Sequence, residues 1–280
     1  MLQQIFAVTS LNLRSLQGRL APTLVVIAGI GGVVAVLLGL LAMSSGFRTA
    51  LVNTAQPDRA LVLRGSSNNE MDGWINPEEL AVLETLAGFS VVSGEVYVTI
   101  NASKRNGGTT ADVVGRGVTP AAFELRPEVD IVVGRAFSPG KNEVIVGIKA
   151  AGLYAGLTVG DTVDARGSVW QVVGHFAAAG TAVESEIWMD LAIAQDVFRR
   201  TFSVARVKLN DAGDFDRLSK VVSADPRLDT VLVSEDEFYA EQSAAHAALI
   251  DTFAYLIAGI MALGAVVAAL NTMYSTVSRR

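Results

Sequence analysis

Residues 24–43 read LVVIAGIGGVVAVLLGLLAM, a run without a charged side chain. With a rise of about 1.5 Å per residue, a helix of this length matches the roughly 30 Å thickness of a membrane's hydrocarbon core. We therefore predict a first transmembrane helix over residues 20–46. A buried helix of a soluble protein is one alternative, although such helices usually carry only about 10 to 14 apolar residues in a row. A cleaved signal peptide is another, with a shorter apolar region of about 7 to 15 residues.

A second uncharged run, FAYLIAGIMALGAVVAAL, covers residues 253–270. It predicts a second transmembrane helix over residues 253–271. Only 18% of all residues are charged, against roughly 25% in soluble domains. Two spans account for this shortage, and the predicted fold class is a membrane protein with α-helical spans and an α+β domain between them.

Charged residues are distributed unevenly around the two runs. All 28 acidic residues lie between Ser44 and Thr252. The basic residues outside the spans are Arg14, Arg19, Arg279 and Arg280. Lys and Arg next to a span are retained on the cytoplasmic side. We therefore expect a multi-pass membrane protein with both termini cytoplasmic and residues 44–252 outside, which is the periplasm if the membrane is the inner membrane of a Gram-negative bacterium.

Each span is preceded by a segment with its own helical signal. Residues 1–19 place apolar side chains near one helical face, which predicts an interfacial helix at the cytoplasmic surface; an ordinary leader into the first span is the alternative. Ser234 and Glu237 form a capping-box pattern. They predict a stalk helix over residues 235–252 that leads into the second span.

The outer segment contains two strand–helix–strand patterns that form an α+β subdomain over residues 47–136 and 203–234. The first pattern has strands at 61–63 and 96–100, with a helix between them that Asn76 caps and Pro77 starts. The second has strands at 205–209 and 231–233 around a helix at 214–222. We expect the two βαβ units to share one sheet, and the alternation over 96–100 predicts a strand with one buried face.

Residues 137–202 interrupt this pattern with a β-rich insertion. Strand signals occur at 142–146, 163–165, 169–173 and 186–189, and Arg166, Gly167 and Ser168 separate the middle two as a hairpin turn. Asp190 is placed to cap a helix that ends near Arg199. Such closely spaced strands and turns predict a small barrel or sandwich.

No motif in the sequence predicts catalysis, a cofactor or a metal site. GRAFSPGK at 134–141 lacks the spacing of a phosphate-binding loop, so the chain is not expected to hydrolyse ATP. The chain has no cysteine and only two histidines, at His175 and His246, without a ligand spacing. Glu184 and Glu186 resemble an acid–base pair but are expected to be solvated on a strand edge. The net charge of −6 argues against nucleic-acid binding.

Small residues recur at four-residue spacing in the first span. Ala28 and Gly32, and then Ala35 and Gly39, are small-xxx-small pairs that allow close packing of membrane helices. The alternative is that glycine is simply frequent in such helices.

Several strings resemble the FtsX-like permeases of the MacB and lipoprotein-releasing type of ABC transporter. They are SSGFRTALVNTAQPDRALVLRG (44–65), GRGVTPAAFELRPEVDIVVGRAF (115–137), GKNEVIVG (140–147), GLTVGDTV (156–163), SEIWMDL (185–191) and ALNTMYSTVSRR (269–280). The last string is the most specific. Together with the spans, the resemblance covers nearly the whole chain.

The resemblance implies a permease subunit that works with a separate ABC ATPase, in a homodimer or pseudo-dimer within membrane lipid, often with a periplasmic adaptor protein. It implies a porter-like subdomain for 47–136 and 203–234 and a Sabre-like subdomain for 137–202. Residues 272–280 would begin the cytoplasmic ATPase-contact segment. Its candidate contact residues are Thr276, Ser278, Arg279 and Arg280.

ATP-driven movement would pass along the stalk to the periplasmic domain and drive export or lipoprotein release. The family has two more spans downstream, and we expect them beyond Arg280. A two-span membrane sensor with an extracytoplasmic ligand-binding domain remains the alternative, because topology alone fits both. A membrane-anchored hydrolase ranks last, since the sequence shows no catalytic triad or metal set.

Overall fold

The computed structural model describes residues 20–52, 54–67 and 69–277. The chain divides into two compact units. The outer unit is Thr49–Gln242, and the helical unit comprises the described parts of residues 1–48 and 243–280. The predicted interfacial helix at 1–19 lies outside the described residues.

In chain order, one long α-helix precedes and another follows the shorter helices of the outer unit. The α-helices are α1 (Leu20–Val52), α2 (Pro77–Thr85), α3 (Ala121–Leu125), α4 (Ile148–Leu153), α5 (Leu191–Phe198), α6 (Phe215–Ala224) and α7 (Glu235–Val277). Segments Ile27–Gly46 of α1 and Glu235–Asn271 of α7 are long and apolar enough to cross a membrane by length and composition. These helices cover both predicted spans, whose crossing of a membrane stays a prediction.

Ten strands form one sheet. They are β1 (Arg59–Arg64), β2 (Phe89–Ser103), β3 (Thr110–Val118), β4 (Asp130–Gly134), β5 (Glu143–Gly147), β6 (Thr162–Ala165), β7 (Ser168–Ala177), β8 (Ile187–Asp190), β9 (Val204–Leu209) and β10 (Thr230–Ser234). Their order is β10-β1-β9-β2-β3-β8-β5-β7-β4, and β6 pairs with β7.

The first four strands of this order are antiparallel neighbours. Helix α2 joins β1 to β2, and β9 lies between these two strands. Likewise α6 joins β9 to β10, and β1 lies between them. The two units interlock as in a ferredoxin-like split βαβ arrangement. The prediction that both units share one sheet is confirmed.

These four strands, β10, β1, β9 and β2, form one half of the sheet, and both faces of this half are buried. On one face Val62, Val207 and the α2 and α6 side chains Leu83 and Leu218 form a core cluster. On the other face Leu61, Leu63 and Tyr97 pack with Phe238 and Tyr239 from the first turns of α7. Because the first turns of α7 cover this second face, Tyr97 is only 3% exposed, and the predicted single buried face of β2 is wrong at this residue. From Val98 to Ser103 buried and exposed residues alternate as predicted.

Strand β2 connects the two halves of the sheet. Its first part, from Phe89 to Glu95, pairs with β9, and its second part, from Val96 to Ser103, pairs with β3. Glu95 therefore lies at the point where β2 exchanges one neighbour for another.

The second half of the sheet runs from β3 to β4 and packs against α3, α4 and α5. Its two faces carry separate apolar clusters, one around Trp170 and one around Trp188. Strand β4, before residue 137, pairs with β7, and β3 pairs with β8. The sheet thus continues across the predicted edge of the insertion, and the residue limits of the two subdomains stay a prediction.

The hairpin turn and two of the helix caps that the sequence predicts are present in the structure. Arg166 and Gly167 have φ of 54° and 77° between paired strands β6 and β7, as the two central residues of a type I′ hairpin turn require. The Asp190 carboxylate accepts from Ile193 N at 3.1 Å and caps α5. Ser234 Oγ accepts from Glu237 N at 3.1 Å where α7 begins.

Candidate functional site: a buried charge network in the outer unit

The described candidate residues selected for span packing and ATPase contact lie in the two long helices. Ala28, Gly32, Ala35 and Gly39 lie on α1, and a Cβ added at either glycine would meet no atom within 4 Å. Thr276 is in the last turn of α7, whereas Ser278, Arg279 and Arg280 lie outside the described residues. The structure brings none of these described positions together into a site, so span packing and ATPase contact stay predictions.

A network of buried charges in the outer unit is instead centred on Glu95. This side chain is fully buried and accepts from Arg116 Nη1 at 2.6 Å. It also accepts two hydrogen bonds from Arg126, at 2.7 and 3.0 Å. A carboxylate that is removed from water in this way is stable only when such paired donors replace its hydration.

Arg116 on β3 binds the carboxylate of Glu186, the residue just before β8. Its Nε donates to Glu186 Oε2 at 2.7 Å, and Nη2 donates to the other oxygen of the same carboxylate. The indole of Trp188 donates to Glu186 at 2.8 Å. The guanidinium also lies 4.3 Å from the centre of the Tyr97 ring. Planar, bidentate contacts of this kind suit arginine and not lysine.

Arg206 on β9 joins the sheet to the start of α7. It donates to Glu235 through Nη1 and to Glu70 through Nη2. Nη2 also donates to the Tyr239 hydroxyl at 2.8 Å, and Nε lies 3.5 Å from Glu95. One guanidinium thus contacts the centre of the network, a surface loop and the first two turns of α7.

Glu235 has further partners beside the start of β1. It accepts from the backbone N–H of Gln56 at 3.2 Å, and Arg59 Nε lies 3.6 Å from the same carboxylate. Arg59 in turn donates to Glu128 at 2.8 Å. Glu235 is 2% exposed, so it forms a second buried centre at the first residue of α7.

The pKa shifts of Glu95 and Arg116 favour the charged form of both side chains. Burial alone would raise the pKa of Glu95, but the guanidiniums of Arg126 and Arg116 bring this pKa below its ordinary value. Burial opposes the charged form of Arg116, yet Glu186, Tyr97 and Glu95 raise its pKa well above the ordinary value. Burial raises the pKa of Tyr97. These directions are those of a structural ion network and not of a proton donor poised near neutral pH.

Two pockets border the network. One, of about 380 Å³, is lined by Tyr97, Arg116, Glu186, Tyr239 and residues 69–72, among others. The other, of about 390 Å³, is lined by Arg59, Glu128, Lys208 and neighbouring residues. Across residues 20–52, 54–67 and 69–277, no group of three or more His, Asp or Glu side chains could hold a metal ion.

The prediction that Glu184 and Glu186 are solvated is wrong. Glu184 is 3% exposed and accepts from the backbone N–H groups of Ala178 and Gly180 at 2.9 and 2.8 Å. Glu186 serves Arg116 and Trp188, as described above. Each carboxylate is saturated by a different set of donors, which is not the arrangement of an acid–base pair facing one substrate.

The loop at 134–141 uses its donors internally. Glu143 accepts from Arg135 Nη1 and Nη2 at 2.6 and 2.7 Å and from Ser138 N at 2.9 Å. Hydrogen bonds from Arg135 lower the pKa of Glu143 to about 2. The side chain of Arg135 and the backbone N–H of Ser138 are therefore occupied by a carboxylate of the chain itself.

Sequence reasoning missed the charge network because its members are far apart in the chain. Glu95 is 21 residues from Arg116, and Arg206 is 136 residues from Glu70. One signal was present: Glu95 and Arg116 are charged residues beside the apolar runs of β2 and β3. A charged side chain in an otherwise apolar strand is rarely buried unless it has a partner of opposite charge. If Glu95 and Arg116 are buried, each therefore requires such a partner.

A family model described as the MacB-like periplasmic core domain matches residues 23–224. The matched range begins in α1, contains the whole path from β1 to β9 and ends at the last residue of α6. The chain belongs to this family. The resemblance to MacB/FtsX-like permeases of ABC transporters is thereby confirmed, and the outer unit is a MacB-like periplasmic core domain with a mixed α/β sheet.

Solved structures are similar to this MacB-like chain at low sequence identity. One is the extracellular domain of the ABC-type transporter YknZ from Gram-positive bacteria, with 18% identity, a TM-score of 0.45 and coverage of 57% of this chain and 88% of that chain. Another is the periplasmic region of MacB from Actinobacillus actinomycetemcomitans, with 12% identity, a TM-score of 0.49 and coverage of 69% and 95%. A comparison with curated proteins finds no match.

Proposed function

We propose that the chain is the permease subunit of a MacB/FtsX-type ABC transporter. It would couple ATP hydrolysis by a separate ATPase to movement of the periplasmic domain, for export or lipoprotein release. The observation that carries this proposal is the family match at 23–224, because it includes the first apolar helix together with most of the outer unit.

The proposed topology places both apolar helices across the bacterial inner membrane. Both termini are then cytoplasmic, and residues 44–252 are periplasmic. The charge distribution supports this orientation, since all 28 acidic residues lie in the middle segment and arginines flank the spans outside it. Small residues at Ala28, Gly32, Ala35 and Gly39 would pack against a helix of the assembled transporter, because open space adjoins both glycines.

The proposed route of coupling runs along α7. This helix continues without interruption from Glu235 to Val277, so it includes the stalk segment 235–252, the second span 253–271 and most of the residues before Arg280. Thr276, Ser278, Arg279 and Arg280 would contact the ATPase. The porter-like and Sabre-like subdomains, at 47–136 with 203–234 and at 137–202, would form the moving periplasmic part.

The assembly is proposed to contain two copies of the permease and two ATPase subunits, with a periplasmic adaptor protein as a further partner. The permease itself would have no catalytic site and no cofactor. Its buried charges would serve rigidity, since the pKa directions of Glu95 and Arg116 favour permanent ion pairs.

Affinity purification of the full-length protein from native membranes, followed by mass spectrometry, tests this function. We expect an ATP-binding-cassette ATPase to be retained with it in near-equal amounts. An unrelated membrane protein of similar size, purified in the same detergent, is the control for non-specific capture. Recovery of a kinase or cyclase, or of no nucleotide-binding partner, would overturn the permease proposal and favour the sensor.

A further inference from the structure

The first residue of α7 has more charged and polar partners than a helix start requires. Ser234 already caps the helix through Glu237 N. The Glu235 side chain adds bonds to Arg206 Nη1 and to the backbone N–H of Gln56, and it faces Arg59 at 3.6 Å. These partners belong to β9, to the segment before β1 and to β1 itself.

A second contact fixes the rotation of the same helix. Tyr239 lies four residues after Glu235, and side chains at this spacing share one face of a helix. Its hydroxyl accepts from the same guanidinium, Arg206 Nη2, at 2.8 Å. Phe238 and Tyr239 also pack on the sheet. The apolar contacts hold the first turns of α7 on the sheet, and both polar contacts to Arg206 come from one face of these turns.

Arg206 contacts both Glu235 and Glu95, so it connects the start of α7 to the centre of the charge network. Its Nε lies 3.5 Å from Glu95, which accepts from Arg116 and Arg126. The start of α7 is therefore connected by buried ion pairs to β2 and β3, at the point where the two halves of the sheet meet. Separation of Glu235 from Arg206 would break a buried ion pair, which is strongly unfavourable when one partner stays buried.

We propose that Glu235 is a positioning residue that locks the first two turns of α7 to the sheet, so that both move as one body. This inference rests on the proposed function for its purpose, since a rigid joint would pass movement of α7 undiminished to the periplasmic domain. The lock itself is a property of the outer unit and can be measured without the ATPase.

The test measures the distance between α7 and α6 by electron–electron double resonance of spin labels in the full-length protein. The chain contains no cysteine, so Lys220→Cys on α6 and Glu241→Cys on α7, both at exposed positions, carry the only labels. We expect a narrow distance distribution in this parent. Adding Glu235→Gln, which removes the charge and keeps the size, should broaden the distribution at least twofold.

Glu237→Gln is the matched control. Glu237 lies in the same first turn but is exposed, so its loss of charge should leave the width unchanged. Tyr239→Phe is a second test variant that removes only the hydroxyl contact and no buried charge. It should broaden the distribution by a smaller factor than Glu235→Gln, and it provides a folded test if Glu235→Gln does not fold.

If folded Glu235→Gln has a distance distribution as narrow as that of the parent, the lock is overturned. If Glu235→Gln does not fold, the same result in Tyr239→Phe overturns it. Equal broadening by Glu237→Gln would also overturn it, because the effect would then belong to charge in the first turn generally. Failure of the protein to retain an ATPase would overturn the proposed function and leave this distance measurement unaffected.

Discussion

Glu95 lies at the centre of the buried charge network of the outer unit. It lies where β2 changes neighbours, and it binds the guanidiniums of Arg116 and Arg126 at no exposure to solvent. Replacing a whole buried ion network by apolar residues is often neutral for stability, whereas removal of one partner is costly. The network is therefore best tested one side chain at a time.

Arg116→Gln should destabilise the outer unit by about 3 to 5 kcal/mol, because it leaves Glu186 buried without its bidentate partner. Denaturant unfolding followed by tryptophan fluorescence measures this loss, since Trp188 donates to Glu186. Arg217→Gln, which breaks an exposed pair with Asp214, should cause no measurable loss. Equal stability of the two variants would contradict the assigned role of Arg116.

Glu143 gives a prediction about pH. Its pKa is lowered to about 2, chiefly by hydrogen bonds from Arg135, against about 4.3 for an unperturbed glutamate. A lowered folded-state pKa stabilises the fold above the ordinary value, and this contribution is lost as the pH falls from there towards 2.

Arg135→Gln should therefore raise the pKa of Glu143 towards its ordinary value and reduce the loss of stability between about pH 4 and pH 2. Carboxyl titration by nuclear magnetic resonance measures the pKa directly. Lys141→Gln removes a nearby positive charge that forms no ion pair with Glu143 in the structure, and it is the control. An unchanged Glu143 pKa in Arg135→Gln would show that the hydrogen bonds do not set it.

At the scale of elements, the α5 cap is the clearest local determinant. Asp190 accepts from Ile193 N at 3.1 Å, so Asp190→Ala should cost about 1 kcal/mol, within the range of about 0.5 to 2 for lost caps. Asp190→Asn keeps an accepting side-chain oxygen and should recover most of this stability. Equilibrium unfolding of both variants measures the difference, and equal losses would mean that the cap does not stabilise α5.

The elements that the sequence predicted are those with local causes. Asn76 and Pro77 mark the start of α2, the Arg166–Gly167 turn fixes the β6–β7 register, and Ser234 marks the start of α7. The order of strands was only partly predictable. The pairing of β4 with β7 and of β3 with β8 joins residues far apart in the chain, and alternation along one strand contains no information about its neighbour.

The candidate site was not predictable for the same reason. A lone Glu95 or Arg206 in a strand looks like a solvated charge until its partners are known. The alternation over 96–100 likewise predicts only one buried face, because nothing in β2 indicates that Phe238 and Tyr239 of α7 cover Tyr97 on the other face. The candidate residues on α1 come from the spacing of small residues and those near Arg280 from the family resemblance, and both remain predictions.

At the scale of the whole molecule, the proposed topology predicts which positions face the periplasm. Asn106→Cys, at an exposed turn of the outer unit, should react in intact spheroplasts with a membrane-impermeant thiol reagent. Ser10→Cys, before the first span, should react only after the membrane is permeabilised. The cysteine-free parent is the background control. Reaction of Ser10→Cys alone in intact spheroplasts would reverse the proposed orientation.

The measurement that tests the central claim most directly follows one label on the periplasmic domain while the ATPase works. Full-length Lys220→Cys, spin-labelled and reconstituted with its ATPase in lipid, reports the distance between the outer units of two permease copies. We predict a dipolar signal whose distance distribution shifts when ATP and vanadate are added. An identical distribution with and without nucleotide, while ATP hydrolysis proceeds in a parallel sample without vanadate, would contradict the account.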